Sequence, residues 1–282
     1  MDINQSKLEY DSIKYEPLAS KINTTFADIV GLDDIKQEIK RYVLEPLKNP
    51  LLAENNRILL YGPIGCGKTL IARAIANEID APFYEIDNVD ISCGLYYEPN
   101  QNINKILEIA LKHERVVFYF DTFDILAYQA ANQEIKMALK TFLSKIDDFN
   151  KSDNNRMAIV FATSNCPWEI DKSILNDFIK CYMPIPDQSL REALVSKALF
   201  DLPIDDDVDI KTIAKLLADC NSADIIRICN DIKSNAYCRA LKSGTIQNIS
   251  INDCNKEISN FSNLIYNENI IKNKDFKEKG RI

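Results

Sequence analysis

No hydrophobic run in this chain approaches the ~20 residues that a helical membrane span needs; the longest, such as Val116–Phe120, stop after a few residues. The first ten residues, Met1–Tyr10, are polar and lack the apolar centre of an export signal, so a cytoplasmic chain without a membrane span is expected. There is one histidine, His113, and none of the 8 cysteines forms a Cys-x-x-Cys pair. A zinc site built from clustered Cys and His is therefore not expected, and reduced thiols suit a cytoplasm. His113, near a predicted helix end, reads as a capping cation or a surface residue. Basic blocks are also missing. With 34 basic against 42 acidic residues the net charge is -8, which argues against nucleic acid or an anionic membrane surface as partner. Only 7 glycines occur in 282 residues, so a glycine cluster carries information.

What is present is ordinary globular material, 46% hydrophobic and 27% charged. Residues 1–25 are polar and weakly patterned, a leader or linker. From Phe26 to about Pro186 short apolar runs alternate with helical stretches. The runs predict strands at Arg57–Tyr61, Pro82–Ile86, Val116–Phe120 and Met157–Thr163, with a shorter one at Cys181–Pro184. Helical periodicity predicts helices at Lys68–Ile79, Gln101–His113 and Glu134–Phe149. This alternation predicts an α/β fold with a parallel sheet sandwiched by helices. After Pro186 the pattern turns helical, through Ser189–Phe200, Val208–Ala218, Ala223–Leu241 and Ile251–Ile265. Residues 187–266 are thus expected to form a small all-α lid, and the Asn/Lys/Glu-rich residues 267–282 a flexible tail.

The informative glycines lie at Gly62-Pro63-Ile64-Gly65-Cys66-Gly67-Lys68-Thr69, between a predicted strand and a predicted helix. This is the phosphate-binding P-loop pattern. Its glycines turn backbone N–H groups inward around phosphates, and the following helix start adds partial positive charge. Lys68 would reach the β- and γ-phosphates of ATP, and the Thr69 hydroxyl would ligate Mg²⁺. Leu70 follows directly. Asp121, at the end of the buried strand Val116–Phe120, is the second candidate metal residue. Cys66 within the loop is either activated by the surrounding amides or an inert small side chain.

Together these segments resemble the AAA family of P-loop ATPases, with a core similar to valosin-containing-protein-like and proteasomal ATPases. The resemblance spans about residues 25–265. Phe26-Ala27-Asp28-Ile29-Val30-Gly31-Leu32 resembles the segment that packs around the adenine, which implies nucleotide contacts from Asp28, Ile29 and Gly31. Asn165, in Ala162-Thr163-Ser164-Asn165-Cys166-Pro167-Trp168, resembles the sensor-1 asparagine that orients the attacking water. Pro184-Ile185-Pro186-Asp187 matches the joint before the lid. Ser222-Ala223-Asp224-Ile225 resembles the sensor-2 segment, which implies a nucleotide contact from Ala223.

Five departures from the family pattern stand out. The family follows its Asp with a Glu that activates water, whereas here Asp121 is followed by Thr122. Loss of a positioned base costs about 10²–10⁴ in rate; Asp124 is the remaining acidic candidate. The stretch Ile174–Lys180 contains no arginine where the family supplies fingers to a neighbouring subunit, a loss of about 10³–10⁵. Ser222 replaces the usual lid glycine. The pore segment Gly94-Leu95-Tyr96-Tyr97-Glu98 keeps aromatics but not the following glycine, and the second pore loop, near Ala127–Asn132, is short and uncharged. The resemblance thus implies an ATP-binding subunit of a homo- or hetero-oligomeric ring that remodels a protein substrate, with weak or absent intrinsic hydrolysis. The alternative is a fully active ATPase that uses another acid, or arginines from active AAA paralogues.

Overall fold

The structure, a computed structural model, describes residues 22–48, 56–86, 103–104, 106–108, 111–129, 133–153, 155–261 and 267–279. Helix α1 (Asp33–Lys48) precedes strand β1 (Arg57–Tyr61), and helix α2 (Lys68–Glu78) leads to β2 (Phe83–Ile86). Strand β3 (Arg115–Phe120) is followed by helices α3 (Phe123–Gln129) and α4 (Gln133–Ser152), then β4 (Met157–Ser164), a 3₁₀ turn at Pro167–Glu169, helix α5 (Lys172–Leu175) and β5 (Ile179–Tyr182). All pairings are parallel, in the order β2-β3-β4-β1-β5.

Successive side chains of a strand face opposite sides of its sheet, and here both sides are covered. Leu59, Tyr61, Phe118, Phe120 and Val160 pack with α4 through Phe142 and Ile146. Ile58, Leu60, Val117, Tyr119 and Ile159 pack on the other side with Ile39 and Val43 of α1 and Ile71 and Ile75 of α2. Burial on both faces explains why the strands are continuous apolar runs rather than alternating ones.

The lid consists of α6 (Gln188–Leu199), α7 (Ile210–Leu216), α8 (Ser222–Ser243) and α9 (Ile251–Asn260) around their own core of Val195, Leu199, Ile225, Ile228 and Ile232. Its helices start on side-chain caps: Asp187, Asp209, Asn221 and Ser250 each accept a bond from a backbone N–H of the first turn.

One expectation changes. Residues Asn267–Lys279, expected as flexible tail, form helix α10, which lies on the large domain. Asn273 is fully buried, the Phe276 ring meets Tyr61 edge-on at 5.3 Å, and Lys277 lies 5.0 Å above the Tyr182 ring. Composition pointed to a solvated tail; three side chains spaced along one helix supply the docking. The leader before residue 22, the aromatic loop at 94–98 and residues 130–132 of the second pore segment lie outside the described residues. Among the described residues, no helix is long and apolar enough to cross a membrane.

Candidate functional site

Parallel strands put their C-terminal ends on one edge of a sheet, and ligand crevices form there. β4 lies between β1 and β3, so the loop after β1, Asp121 after β3 and Asn165 after β4 become neighbours. The loop at 62–67 is anchored by Gly62 N donating to Ser164 O (3.1 Å). A Cβ on Gly62 would sit 2.1 Å from the Met183 carbonyl oxygen, and one on Gly65 would sit 2.4 Å from Asn221 Oδ1, so both positions demand glycine.

Lys68 is the centre of this edge. Its ammonium donates to Gly62 O (2.7 Å), Pro63 O (2.8 Å) and Asn165 Oδ1 (2.8 Å), using all three of its protons. Burial lowers its pKa, opposed by the nearby negative charges of Asp121 and Asp124. The structure therefore brings Lys68 and Asn165 together directly.

Thr69 and Asp121 are linked through a third side chain. Thr69 Oγ1 lies 2.7 Å from the Tyr119 hydroxyl, which donates to Asp121 Oδ1 at 3.2 Å. Thr163 Oγ1 (2.7 Å) and Thr122 N (3.0 Å) also donate to that oxygen, whereas Oδ2 of the exposed Asp121 takes none of these bonds. Burial pushes the Tyr119 phenol up to about 12, so it is neutral. A hydroxyl and a carboxylate are the hard oxygen donors that Mg²⁺ takes, so the set fits that ion.

Thr122 has φ 47°, left-handed and uncommon for a β-branched residue. The kink starts α3, whose second residue is Asp124. Asp124 is 8% exposed, and its Oδ1 is buried without a hydrogen-bond partner among the described residues. Cys166 Sγ and a Glu169 carboxylate oxygen complete a group whose atoms lie within 4.8 Å of one another. Burial raises the Cys166 thiol, helped by Glu169 and Asp124. No sequence pattern marks this trio, because Asp124 is separated from Cys166 and Glu169 by a long helix and a strand.

The adenine-side candidates are dispersed. The Asp28 carboxylate accepts from Thr25 N (2.8 Å) and Thr25 Oγ1 (2.9 Å), a local turn that lowers its pKa. Ile29 is buried in the α1–α2 core, and Gly31 packs against Leu190 of the lid. Lys197 of α6 donates to Ala27 O and Asp28 O, both at 3.0 Å, tying the segment to the lid. Ala223 N donates to Gly65 O (3.0 Å), so the start of α8 closes onto the P-loop. Ile64 and Leu70 are exposed. Cys66 is buried, and that burial raises its thiol to about 11; this contradicts activation by the loop amides and supports the inert reading. His113 is exposed and its Nε2 lies 3.3 Å from the Tyr84 hydroxyl.

In the arginine-free stretch, Asp177 lies 3.7 Å from Arg57 Nη1 and Lys180 sits within β5 opposite Leu59. Helix α10 reaches the site from behind, Asn273 Nδ2 donating to Asn165 O at 3.1 Å. Sequence reasoning missed Tyr119, Asn221 and Asn273. Only Tyr119 left a trace: two residues before Asp121 on a strand, it shares that residue's face.

Residues 58–183 match the model of the ATPase family associated with various cellular activities (AAA). Cell division protein C of Sulfolobus acidocaldarius is 31% identical over 236 residues, covering 80% of this chain and 62% of that protein. The chain thus spans less than two thirds of that relative's length. A katanin structure, from work on the structural basis of katanin self-assembly, superposes with TM-score 0.73 at 22% identity, covering 98% of this chain and 96% of that one. The FIGL-1 AAA domain in complex with ADP gives TM-score 0.76 at 19% identity, covering 99% and 98%. With the P-loop, the strand-end Asp121 and Asn165 on one sheet edge, the α/β core of this chain belongs to the AAA family of ATPases.

Proposed function

We propose that the chain binds ATP at residues 62–69, with Mg²⁺ held by Thr69 and Asp121, and hydrolyses it slowly or not at all on its own. It would serve as the ATP-binding core of an oligomeric protein-remodelling assembly in the cytoplasm. The observation that carries the slow turnover is Thr122, a residue without a carboxylate at the position where the family's base stands. The ADP bound to the FIGL-1 domain supports nucleotide binding, and katanin self-assembly supports an oligomer.

In this reading the Lys68 ammonium exchanges the carbonyls of Gly62 and Pro63 for phosphate oxygens. Bonds to a charged acceptor are roughly twice as strong as bonds to a neutral one, which favours the exchange. Held by Thr69 and Asp121, Mg²⁺ would neutralise charge on the phosphates. Asn165, beside Lys68, orients the attacking water. With no arginine between residues 174 and 180, a neighbouring copy of this chain would supply no finger from that stretch, so fingers would have to come from a different, arginine-bearing subunit.

Steady-state phosphate release from wild type and Thr122→Glu tests the reading. The variant should turn over at least about tenfold faster, given the 10²–10⁴ a positioned base contributes. Wild-type turnover already in the usual enzyme range of about 1–10³ s⁻¹ would refute it.

Asp124 favours a second reading, a fully active ATPase. One oxygen of its buried carboxylate has no hydrogen-bond partner among the described residues, and its charge reaches Lys68. Under that reading wild type is fast and Asp124→Asn abolishes turnover while nucleotide binding persists.

A further inference from the structure

The Tyr119 hydroxyl lies between the two side chains assigned to the metal. The phenol is fully buried at the end of β3, its ring stacked on Phe83 with centroids 5.2 Å apart. Packing of that kind fixes where the hydroxyl can be. The direction of the bonds then follows from counting protons. A tyrosine hydroxyl has one O–H proton. Tyr119 donates it to Asp121 Oδ1 (3.2 Å). The 2.7 Å contact with Thr69 must therefore be Thr69 donating and Tyr119 accepting.

That polarity has a consequence for Thr69. With its proton committed to Tyr119, its lone pairs are free for a cation. Asp121 Oδ1 is held by Tyr119, Thr163 and Thr122, while Oδ2 takes none of these bonds. We infer that Tyr119 is a positioning residue for magnesium, relaying a one-way hydrogen bond from Thr69 to Asp121 that presents oxygen lone pairs of both to the ion. Among the described residues, no other side chain hydrogen-bonds to both Thr69 and Asp121.

The inference rests on the nucleotide-binding reading, and the experiment separates the two. A fluorescent ADP analogue is titrated into wild type and Tyr119→Phe, first in EDTA and then against increasing Mg²⁺. The substitution removes one buried oxygen and keeps the ring stacked on Phe83. In EDTA both proteins should bind the nucleotide with the same affinity, because the loop and Lys68 are untouched. A merely structural role would shift that affinity. With Mg²⁺, the concentration giving half of the metal-dependent enhancement should rise about tenfold in Tyr119→Phe, in line with the 10–100-fold cost of losing an outer-shell partner. An unchanged midpoint overturns the relay. A lower midpoint also overturns it, since the hydroxyl would then compete with the ion. Absence of nucleotide binding by wild type, with or without Mg²⁺, defeats the nucleotide reading and the relay with it.

Discussion

Lys68 Nζ donates to Asn165 Oδ1 over 2.8 Å, joining residues 97 apart in sequence across the ends of two adjacent strands. The bond fixes the position of Asn165 relative to the lysine. Asn273 bonds the Asn165 carbonyl from the other side, so helix α10 braces the same loop.

Thr122 stores backbone strain. A left-handed conformation costs on the order of 1–3 kcal/mol in a β-branched residue, and glycine adopts it freely. Its backbone N–H, bonded to Asp121 and Thr163, is retained in a glycine variant. Thr122→Gly should stabilise the chain by about 1 kcal/mol in denaturant unfolding, after allowing for glycine's unfolded-state entropy. No gain would show that the strain is relieved by contacts of the threonine side chain.

The cysteines should differ in reactivity. Cys66 is buried and its thiol raised to about 11, whereas Cys238 is exposed. Alkylation of the native chain at pH 8, mapped by peptide mass, should label Cys238 and spare Cys66. Equal labelling would restore the amide-activated thiol that the loop sequence alone allowed.

Acid should destabilise the lid. Backbone and Ser189 donors hold Asp187 below its ordinary value, and Thr212 and Lys211 do the same for Asp209. A depressed folded pKa means that the unfolded chain binds protons first. The stabilisation is complete above the unfolded value of about 3.9 and is lost as pH falls below it. The thermal midpoint should therefore hold from pH 7 to 5 and drop below pH 4, with a shallower drop in Asp209→Asn, which keeps a capping oxygen. A flat profile down to pH 3 would contradict this.

Much of this architecture was readable in advance because it is written in contiguous residues. Arg57–Tyr61 and Val116–Phe120 are apolar runs buried on both faces, and the loop between β1 and α2 has fixed spacing. Three features were not readable. The Tyr119 relay depends on one hydroxyl in an otherwise apolar strand. The burial of Asp124 depends on a left-handed Thr122, which composition does not announce. Helix α10 has a polar sequence and owes its docking to Asn273, Phe276 and Lys277, contacts made only in the folded chain.

The central claim is that the main chain of residues 62–67 and the Lys68 ammonium together hold a triphosphate. Titration of a fluorescent ATP analogue into wild type and Lys68→Ala tests it most directly. Removing a desolvated charge from its partner typically costs 2–5 kcal/mol, so affinity should fall at least about 30-fold in the variant. Undiminished affinity in Lys68→Ala would contradict the account.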